Sequence, residues 1–183
     1  MICGLADGGE ILVGLDTYKQ AEGHFTFEGL NPTEVMVRTD NYTKTEGNLM
    51  ALTPGQAQEI GQRYTEAWCS HVPESVASFY AENGRIVING GETCEGREAI
   101  ADNARGFFSA FPNLIVKMDA IRTSGTYAVY LWTLEGTNTG PGGAGNRVEV
   151  SGWEYWHMTD DGLVAESAGH FDAEDYERQI EGR

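Results

Sequence analysis

The feature that most constrains the fold of this chain is the order of its predicted elements between Leu52 and Ile180. A helical pattern, a short second helix, a strand and a longer helix come first, and four strand patterns then follow in direct succession. Strands joined by short turns pair antiparallel, and a sheet with one apolar face needs helices to cover that face. The order therefore predicts a cone-shaped α+β domain with an apolar pocket.

The helices are indicated by an N-cap and by apolar spacing. Thr53 and Gln56 stand three residues apart, as in a capping box, immediately before a helical pattern. Large apolar side chains recur every four residues in that pattern, at Ile60, Tyr64 and Trp68. A short helix is predicted to begin at Pro73, and a longer one over residues 97–111. Each of these helices is expected to turn one apolar face toward the sheet.

The strands are indicated by β-branched and aromatic runs between turn signals. Ser124-Gly125 and Asp160-Asp161-Gly162 are typical turn sequences between such runs, and Asn83-Gly84 is another. The predicted strands cover residues 85–89, 114–121, 127–137, 147–159 and 163–171. A hydrophilic helix over residues 173–180 is predicted to follow the last strand.

The first 49 residues have a different sequence pattern from the rest of the chain. Strand-like runs at residues 11–13, 24–27 and 34–38 are separated by Gly, Asn and Pro signals. The segment is too short to bury a core of its own. We therefore predict a β-rich N-terminal extension over residues 1–49 and a compact domain over residues 50–183.

The charge balance and the apolar runs bear on partners and location. The chain has 12 Lys and Arg against 28 Asp and Glu, a net charge of -16. A field of this sign repels phosphate backbones and anionic lipid, so we expect neither nucleic acid nor a membrane as a partner. No apolar run is long enough to span a bilayer, and the first residues lack a secretion signal. We expect a cytoplasmic protein.

Cysteines and histidines show no spacing typical of a metal site or a disulfide framework. The chain has three Cys, an odd number, and four His, none of them arranged as metal ligands usually are. The glycine-rich stretch at residues 140–145 lacks the Lys-Ser/Thr ending of a phosphate-binding loop. We therefore expect no metal and no cofactor.

Five segments, in this order and spacing, resemble the SnoaL-like group of the nuclear-transport-factor-2-like superfamily. The resemblance covers residues 53–181, and its carriers are the segments at residues 64–68, 94–100, 111–114, 132–140 and 161–166. It implies a long curved sheet wrapped around helices, with a pocket between the concave face and the first and third helices. It also implies a homodimer formed through the outer face of the sheet.

The resemblance implies a range of functions, because the superfamily includes isomerases, dehydratases, epoxide hydrolases, cyclases and proteins that only bind or associate. Polyketide cyclases of this group use an acidic residue in the final strand, and Gly169 stands at that position here. We expect cofactor-independent acid–base chemistry, such as isomerisation, dehydration or cyclisation, on a hydrophobic oxygenated ligand. The alternative is a non-catalytic module that binds a ligand or dimerises.

The strand over residues 153–157 carries alternating aromatic and polar side chains. Trp153, Tyr155 and His157 share one face, whereas Glu154 and Trp156 share the other. If the first face lines the pocket, it offers a phenol and an imidazole; if the second does, it offers one carboxylate. Isolated charges are rarely buried, so we favour Tyr155 inside, with Glu154 outside as the partner of an arginine.

Further catalytic candidates come from other elements. Tyr64 offers a phenol on the inner face of the first helix, and Asn89 follows an apolar strand; alternatively, Tyr64 is a core residue and Asn89 a turn former. His170 and Asp172 stand two residues apart on the last strand, so the carboxylate could orient a histidine base. The alternative is an exposed histidine and a helix N-cap.

Aromatic residues are candidates for the pocket wall. They can bind a flat apolar molecule, although each could equally be an ordinary core residue. The candidates are Trp68, Phe107, Phe111, Trp132 and Trp153.

Overall fold

The computed structural model describes residues 51–183 and, in the first fifty residues, the backbone of four strands. These strands are β1 (Leu5–Ala6), β2 (Glu10–Val13), β3 (Phe27–Asn31) and β4 (Glu34–Val37), which form an antiparallel sheet in the order β1-β2-β4-β3. Residues 24–26 and 38, which were predicted as strand, lie outside the described residues. The chain divides into two compact units, Met1–Asn48 and Leu49–Arg183.

Four helices belong to the second unit: α1 (Pro54–Cys69), α2 (Pro73–Ala77), α3 (Gly96–Ala110) and α4 (Ala173–Glu181). The predicted capping box is confirmed at the start of α1. The Gln56 backbone N–H donates to Thr53 Oγ1 at 3.3 Å, and the Thr53 backbone N–H donates to Gln56 Oε1 at 3.0 Å. No helix among the described residues is long and apolar enough to cross a membrane.

The second unit contains one curved, six-stranded sheet, so the predicted α+β fold is confirmed. Its strands are β5 (Tyr80–Ile88), β6 (Thr93–Glu95), β7 (Ile115–Ser124), β8 (Tyr127–Thr137), β9 (Arg147–Met158) and β10 (Val164–Phe171). Their order is β6-β5-β10-β9-β8-β7. Neighbours are antiparallel except β5 and β10, which run parallel.

The turn predicted at Asn83-Gly84 is wrong, because both residues lie within β5. The register between β5 and β10 shifts here: Val164 pairs with Tyr80, but Glu166 pairs with Arg85. A Cβ added to Gly84 would lie 2.9 Å from the Val164 carbonyl oxygen. Glycine therefore allows an irregular stretch of β5 to approach β10 closely instead of turning away from it.

The core lies between the inner face of the sheet and the helices, and it is built from large aromatic side chains. Tyr64, Tyr80, Tyr130 and Trp156 are each at most 1% exposed. The Trp156 ring stacks on Tyr130 with centroids 5.1 Å apart and meets the Tyr64 ring edge-on at 5.1 Å. Three of these four residues carry hydroxyl groups, which need hydrogen-bond partners inside the core.

Candidate functional site

A carboxyl group lies at the centre of this aromatic core. The alternation of β9 places Glu154 and Trp156 on its inner face, and Glu154 is only 7% exposed. A buried charge of this kind is costly unless hydrogen bonds compensate it. The surroundings of Glu154 therefore decide its chemistry.

The two oxygens of Glu154 have unequal surroundings. Oε2 accepts hydrogen bonds from Trp156 Nε1 at 2.9 Å and Ser167 Oγ at 3.0 Å. The hydroxyl oxygens of Tyr64 and Tyr80 lie 3.3 Å and 3.5 Å from the same Oε2 atom. Oε1 has one long contact, at 3.4 Å, with the Tyr64 hydroxyl. The two shortest hydrogen bonds, from Trp156 and Ser167, thus fall on Oε2, while Oε1 keeps capacity for a further partner.

Burial governs the ionisation of this cluster. It raises the pKa of the Glu154 carboxyl, and the hydrogen bonds from Trp156, Ser167, Tyr64 and Tyr80 oppose that rise only in part. Burial, followed by the nearby Glu154 charge, also raises the pKa of the Tyr64 and Tyr80 hydroxyls well above their usual range. Both tyrosines therefore remain protonated donors, and Glu154 is the carboxyl of the cluster whose pKa is raised by burial.

Glu154 lies on the wall of a cavity whose other walls are apolar or aromatic. The empty space measures about 640 Å³, including its opening to solvent. The wall is formed by α1, α3 and the inner face of the sheet, and its aromatic members are Trp68, Phe107, Phe111, Tyr130, Trp132, Phe171 and Tyr176. A site of this kind suits an apolar molecule that presents a few polar atoms.

Trp132 lies on the same inner face as Glu154, at the next residue pair that faces the core. Trp132 pairs with Gly152, and Tyr130 pairs with Glu154, across β8 and β9. The six-membered ring of Trp132 lies over Gly152, where an added Cβ would be 2.5 Å from Trp132 Cζ2. The indole nitrogen of Trp132 is buried and has no hydrogen-bond partner within the described part of the chain.

Helix α4 brings Tyr176 to the cavity wall. The Tyr176 ring meets Phe171 at 5.4 Å and Phe111 at 6.3 Å. The helix is attached to β9 through the Gln179 side chain, which accepts from the Glu149 backbone N–H at 2.7 Å and donates to the Glu149 carbonyl oxygen at 2.9 Å. This side chain thus binds the strand as a neighbouring peptide group would.

Among the predicted catalytic residues, Tyr64 belongs to the Glu154 cluster, whereas Asn89 does not. Tyr64 is fully buried, and its hydroxyl bonds Glu154 and, at 3.2 Å, the Tyr80 hydroxyl. Asn89 has a φ of 49° and accepts from the Phe171 backbone N–H at 3.0 Å. Its side chain therefore fixes the end of β10, in keeping with the turn-forming alternative.

The predicted orientation of the β9 side chains is reversed in the structure. Tyr155 stacks on Tyr127 with centroids 5.7 Å apart, on the face opposite Glu154. Trp153, predicted in the pocket, shares that outer face and lies 5.6 Å from His170. The physical reason is that the core surrounds Glu154 with hydrogen-bond donors, from Trp156, Ser167 and the Tyr64–Tyr80 hydroxyl pair, which outweighs the general tendency of carboxylates to lie outside.

His170 and Asp172 lie apart from the cavity wall. Burial lowers the pKa of His170, and the Asp172 charge opposes that shift. Asp172 is the N-cap of α4, where its Oδ1 accepts from the Asp175 backbone N–H at 2.9 Å. The structure thus gives Asp172 the capping role that was the alternative in the sequence.

The remaining predicted pocket residues, Trp68, Phe107, Phe111 and Trp132, do line the cavity. Sequence reasoning missed the functional grouping of Glu154 with Tyr80 and Ser167. The one available signal was the shared parity of Glu154 with Trp156 and with the apolar Val148 and Val150 on β9, all of which are buried. Among the described residues, no group of three His, Cys, Asp or Glu side chains is placed to hold a metal ion.

Solved structures with this fold come from several bacteria. A protein of Jannaschia sp. CCS1, provisionally assigned as a SnoaL-like polyketide cyclase, is 20% identical over 71% of this chain and 94% of that one, with a TM-score of 0.64. A protein of Xanthomonas campestris pv. campestris, provisionally assigned as a polyketide cyclase, is 18% identical over 69% and 98%, with a TM-score of 0.62.

A third structure, from Catenulispora acidiphila, has a ketosteroid isomerase-like fold and was solved in complex with trimethylamine. It is 17% identical over 67% of this chain and 92% of that one, with a TM-score of 0.61. At these identities the likeness shows the fold alone. The comparison with curated proteins gives no match. The SnoaL-like domain model matches residues 62–167, more than half of the chain, and the protein therefore belongs to the SnoaL-like domain family.

Proposed function

We propose that this protein catalyses cofactor-independent proton transfer on a hydrophobic, oxygenated small molecule, with Glu154 as the group that takes or gives the proton. The observation that carries the proposal is a single carboxyl group, 7% exposed and with a raised pKa, on the wall of an otherwise apolar cavity. A raised pKa brings a carboxyl toward the operating pH, where acid–base catalysis is most effective. Isomerisation, dehydration and cyclisation all need such a group.

The position of Glu154 relates directly to the acidic residue that the family's cyclases carry in the final strand. By the family resemblance Gly169 stands at that place, and Gly169 is the cross-strand partner of Glu154. A Cβ added to Gly169 would lie 3.5 Å from Glu154 Cγ, in ordinary contact. Glu154 thus supplies a carboxyl from β9 to the neighbourhood in which the cyclase acid would stand on β10.

The surrounding donors prepare Glu154 for this role. They fix Oε2 and leave Oε1 as the oxygen that can exchange a proton with a ligand. A carboxyl whose position is fixed before the ligand arrives loses little free energy to reorganisation. Tyr64, Tyr80, Trp156 and Ser167 are accordingly positioning residues in this proposal.

The alternative is a protein of the same fold that binds a ligand without transforming it. Two observations favour it: Gly169 has no side chain, and His170 lies outside the cavity wall. The two functions predict the same ligand class. They differ in whether Glu154 removes or adds a carbon-bound hydrogen of the ligand.

Hydrogen exchange separates the two functions without knowledge of the natural substrate. Steroid-, polyketide- and terpenoid-like ketones are first screened by calorimetry, and the exchange of hydrogens next to the carbonyl of each binder is followed by NMR in D2O. We expect Glu154→Gln to lower the rate by roughly 10²–10⁴-fold. Glu149→Gln, an exposed change on the same strand, is the matched control. If the hydrogens of bound ketones exchange equally fast with wild type and Glu154→Gln, catalysis by Glu154 is refuted and only the binding function remains.

A further inference from the structure

We infer that the Trp132 indole N–H donates a hydrogen bond to an oxygen of the molecule that occupies the cavity. The ligand class is then an apolar molecule with a carbonyl or ether oxygen close to the group that meets Glu154. The inference deepens the proposed function, since it rests on the cavity as the ligand site, but it does not require catalysis.

The first observation is the lack of a partner for this donor. Among the buried side-chain nitrogen and oxygen atoms of the described residues, Trp132 Nε1 is the one without a hydrogen-bond partner. Leaving a buried donor unpaired costs more free energy than a typical hydrogen bond gains. An unpaired buried group in a native core therefore calls for an explanation, and a partner supplied by another molecule is one.

The second observation is the chemistry of the surrounding wall. Apart from Glu154 and aromatic hydroxyls, the side chains that line the cavity are apolar. An ordered water needs two to four polar partners, which this wall does not offer around a single N–H. An oxygen attached to an apolar skeleton satisfies the donor and covers the apolar wall at the same time.

The third observation is that packing holds the indole in place. Gly152 leaves room for the Trp132 ring to lie across β9, at a position where a Cβ would be 2.5 Å from Cζ2 and 2.4 Å from the His170 carbonyl oxygen. Phe171 meets the ring edge-on with centroids 6.3 Å apart. The N–H is thus a fixed donor, which makes it a specificity determinant.

The register also relates Trp132 to Glu154. Trp132 pairs with Gly152, two residues before Glu154, so Trp132 and Glu154 are diagonal neighbours on one face. Diagonal neighbours in an antiparallel pair lie roughly 7–8 Å apart. One small molecule can therefore place an oxygen at Trp132 and a hydrogen-bearing atom at Glu154.

A matched pair of probes tests the donor. 1-Tetralone and tetralin share a bicyclic skeleton, and only the first carries a carbonyl oxygen. We expect wild-type protein to bind 1-tetralone roughly five- to tenfold more tightly than tetralin by calorimetry, as one net hydrogen bond implies. In Trp132→Phe this ratio should fall to about one, while Trp153→Phe, the same change on the outer face, keeps the wild-type ratio.

A spectroscopic readout accompanies the ratio. The chain has four tryptophans, and the indole resonance of Trp132 in ¹⁵N-labelled protein is identified by its loss in Trp132→Phe. This resonance should shift on addition of 1-tetralone and much less with tetralin. The inference is overturned if Trp132→Phe keeps the preference, if wild type has none, or if neither probe binds. A Trp132-dependent preference without Glu154-dependent hydrogen exchange would instead refute only the catalytic proposal.

Discussion

Gly152→Ala should damage both the sheet and the cavity, because the space beside Gly152 is occupied on two sides. The new Cβ would lie 2.4 Å from the His170 carbonyl oxygen and 2.5 Å from Trp132 Cζ2. The first of these atoms belongs to the backbone of β10, which is hydrogen-bonded to β9 and β5. A separation of 3.0 Å, the lower limit seen for real Cβ contacts, requires a backbone shift of about 0.6 Å.

The size of the effect follows from the cost of overpacking a rigid core. Such insertions typically cost about 1–3 kcal/mol. With a urea m-value of about 2 kcal/mol/M, the midpoint of unfolding should fall by roughly 0.5–1.5 M. Displacement of the Trp132 ring should also reduce the preference for 1-tetralone over tetralin.

Gly106→Ala provides the matched control, because the same chemical change should there have the opposite sign. Gly106 lies in α3, is exposed, and would have nothing within 4 Å of an added Cβ. Alanine is favoured over glycine inside a helix by about 0.5–1 kcal/mol, so this variant should be stabilised. Equal unfolding midpoints for the two variants in urea would refute the steric reasoning.

Two further predictions concern ionisation and capping. Because folding raises the pKa of Glu154, its contribution to stability is fully present below the ordinary glutamate pKa and is lost as the pH rises through the raised value. In urea titrations across pH, the free energy of unfolding of wild type should therefore fall relative to Glu154→Gln by up to about 1.4 kcal/mol per pH unit in that window, and parallel profiles would contradict the assignment. Asp172→Ala should cost about 0.5–2 kcal/mol through loss of the α4 N-cap. It should leave the hydrogen exchange of bound ketones at the wild-type rate, and a rate loss comparable to that of Glu154→Gln would instead restore Asp172 as a catalytic candidate.

The order of the helices and of the five longer strands, and the start of α1, could be predicted from sequence because they depend on local patterns; the short strand β6 was not predicted. Side-chain periodicity and the Thr53–Gln56 capping box act over a few residues, and the structure reproduces them. The irregular stretch of β5 at Gly84 could not be predicted, because it depends on the close approach of Val164, a residue far along the chain. A glycine in a turn-like dipeptide has the same local sequence signature whether the chain turns there or continues as an irregular strand.

The candidate site shows the same division between local and distant causes. Alternation along β9 correctly separates Glu154 from Tyr155, but it does not say which face is buried. That choice depends on hydroxyl donors from α1, β5 and β10, brought together only by the fold. The unpartnered Trp132 nitrogen is likewise invisible in the sequence, since it is defined by what the surrounding core does not supply.

The contact between Gln179 and Glu149 also bears on an exposed stretch of sheet edge. β10 pairs with β9 only as far as Gly152, so the Arg147–Ser151 part of β9 would present an open sheet edge on that side. Open edges of this kind recruit strands from other molecules. By binding the Glu149 backbone as a peptide would, the Gln179 side chain occupies the pairing position with a helix instead of a strand. The helix that contributes Tyr176 to the cavity wall thereby also covers this stretch of sheet edge.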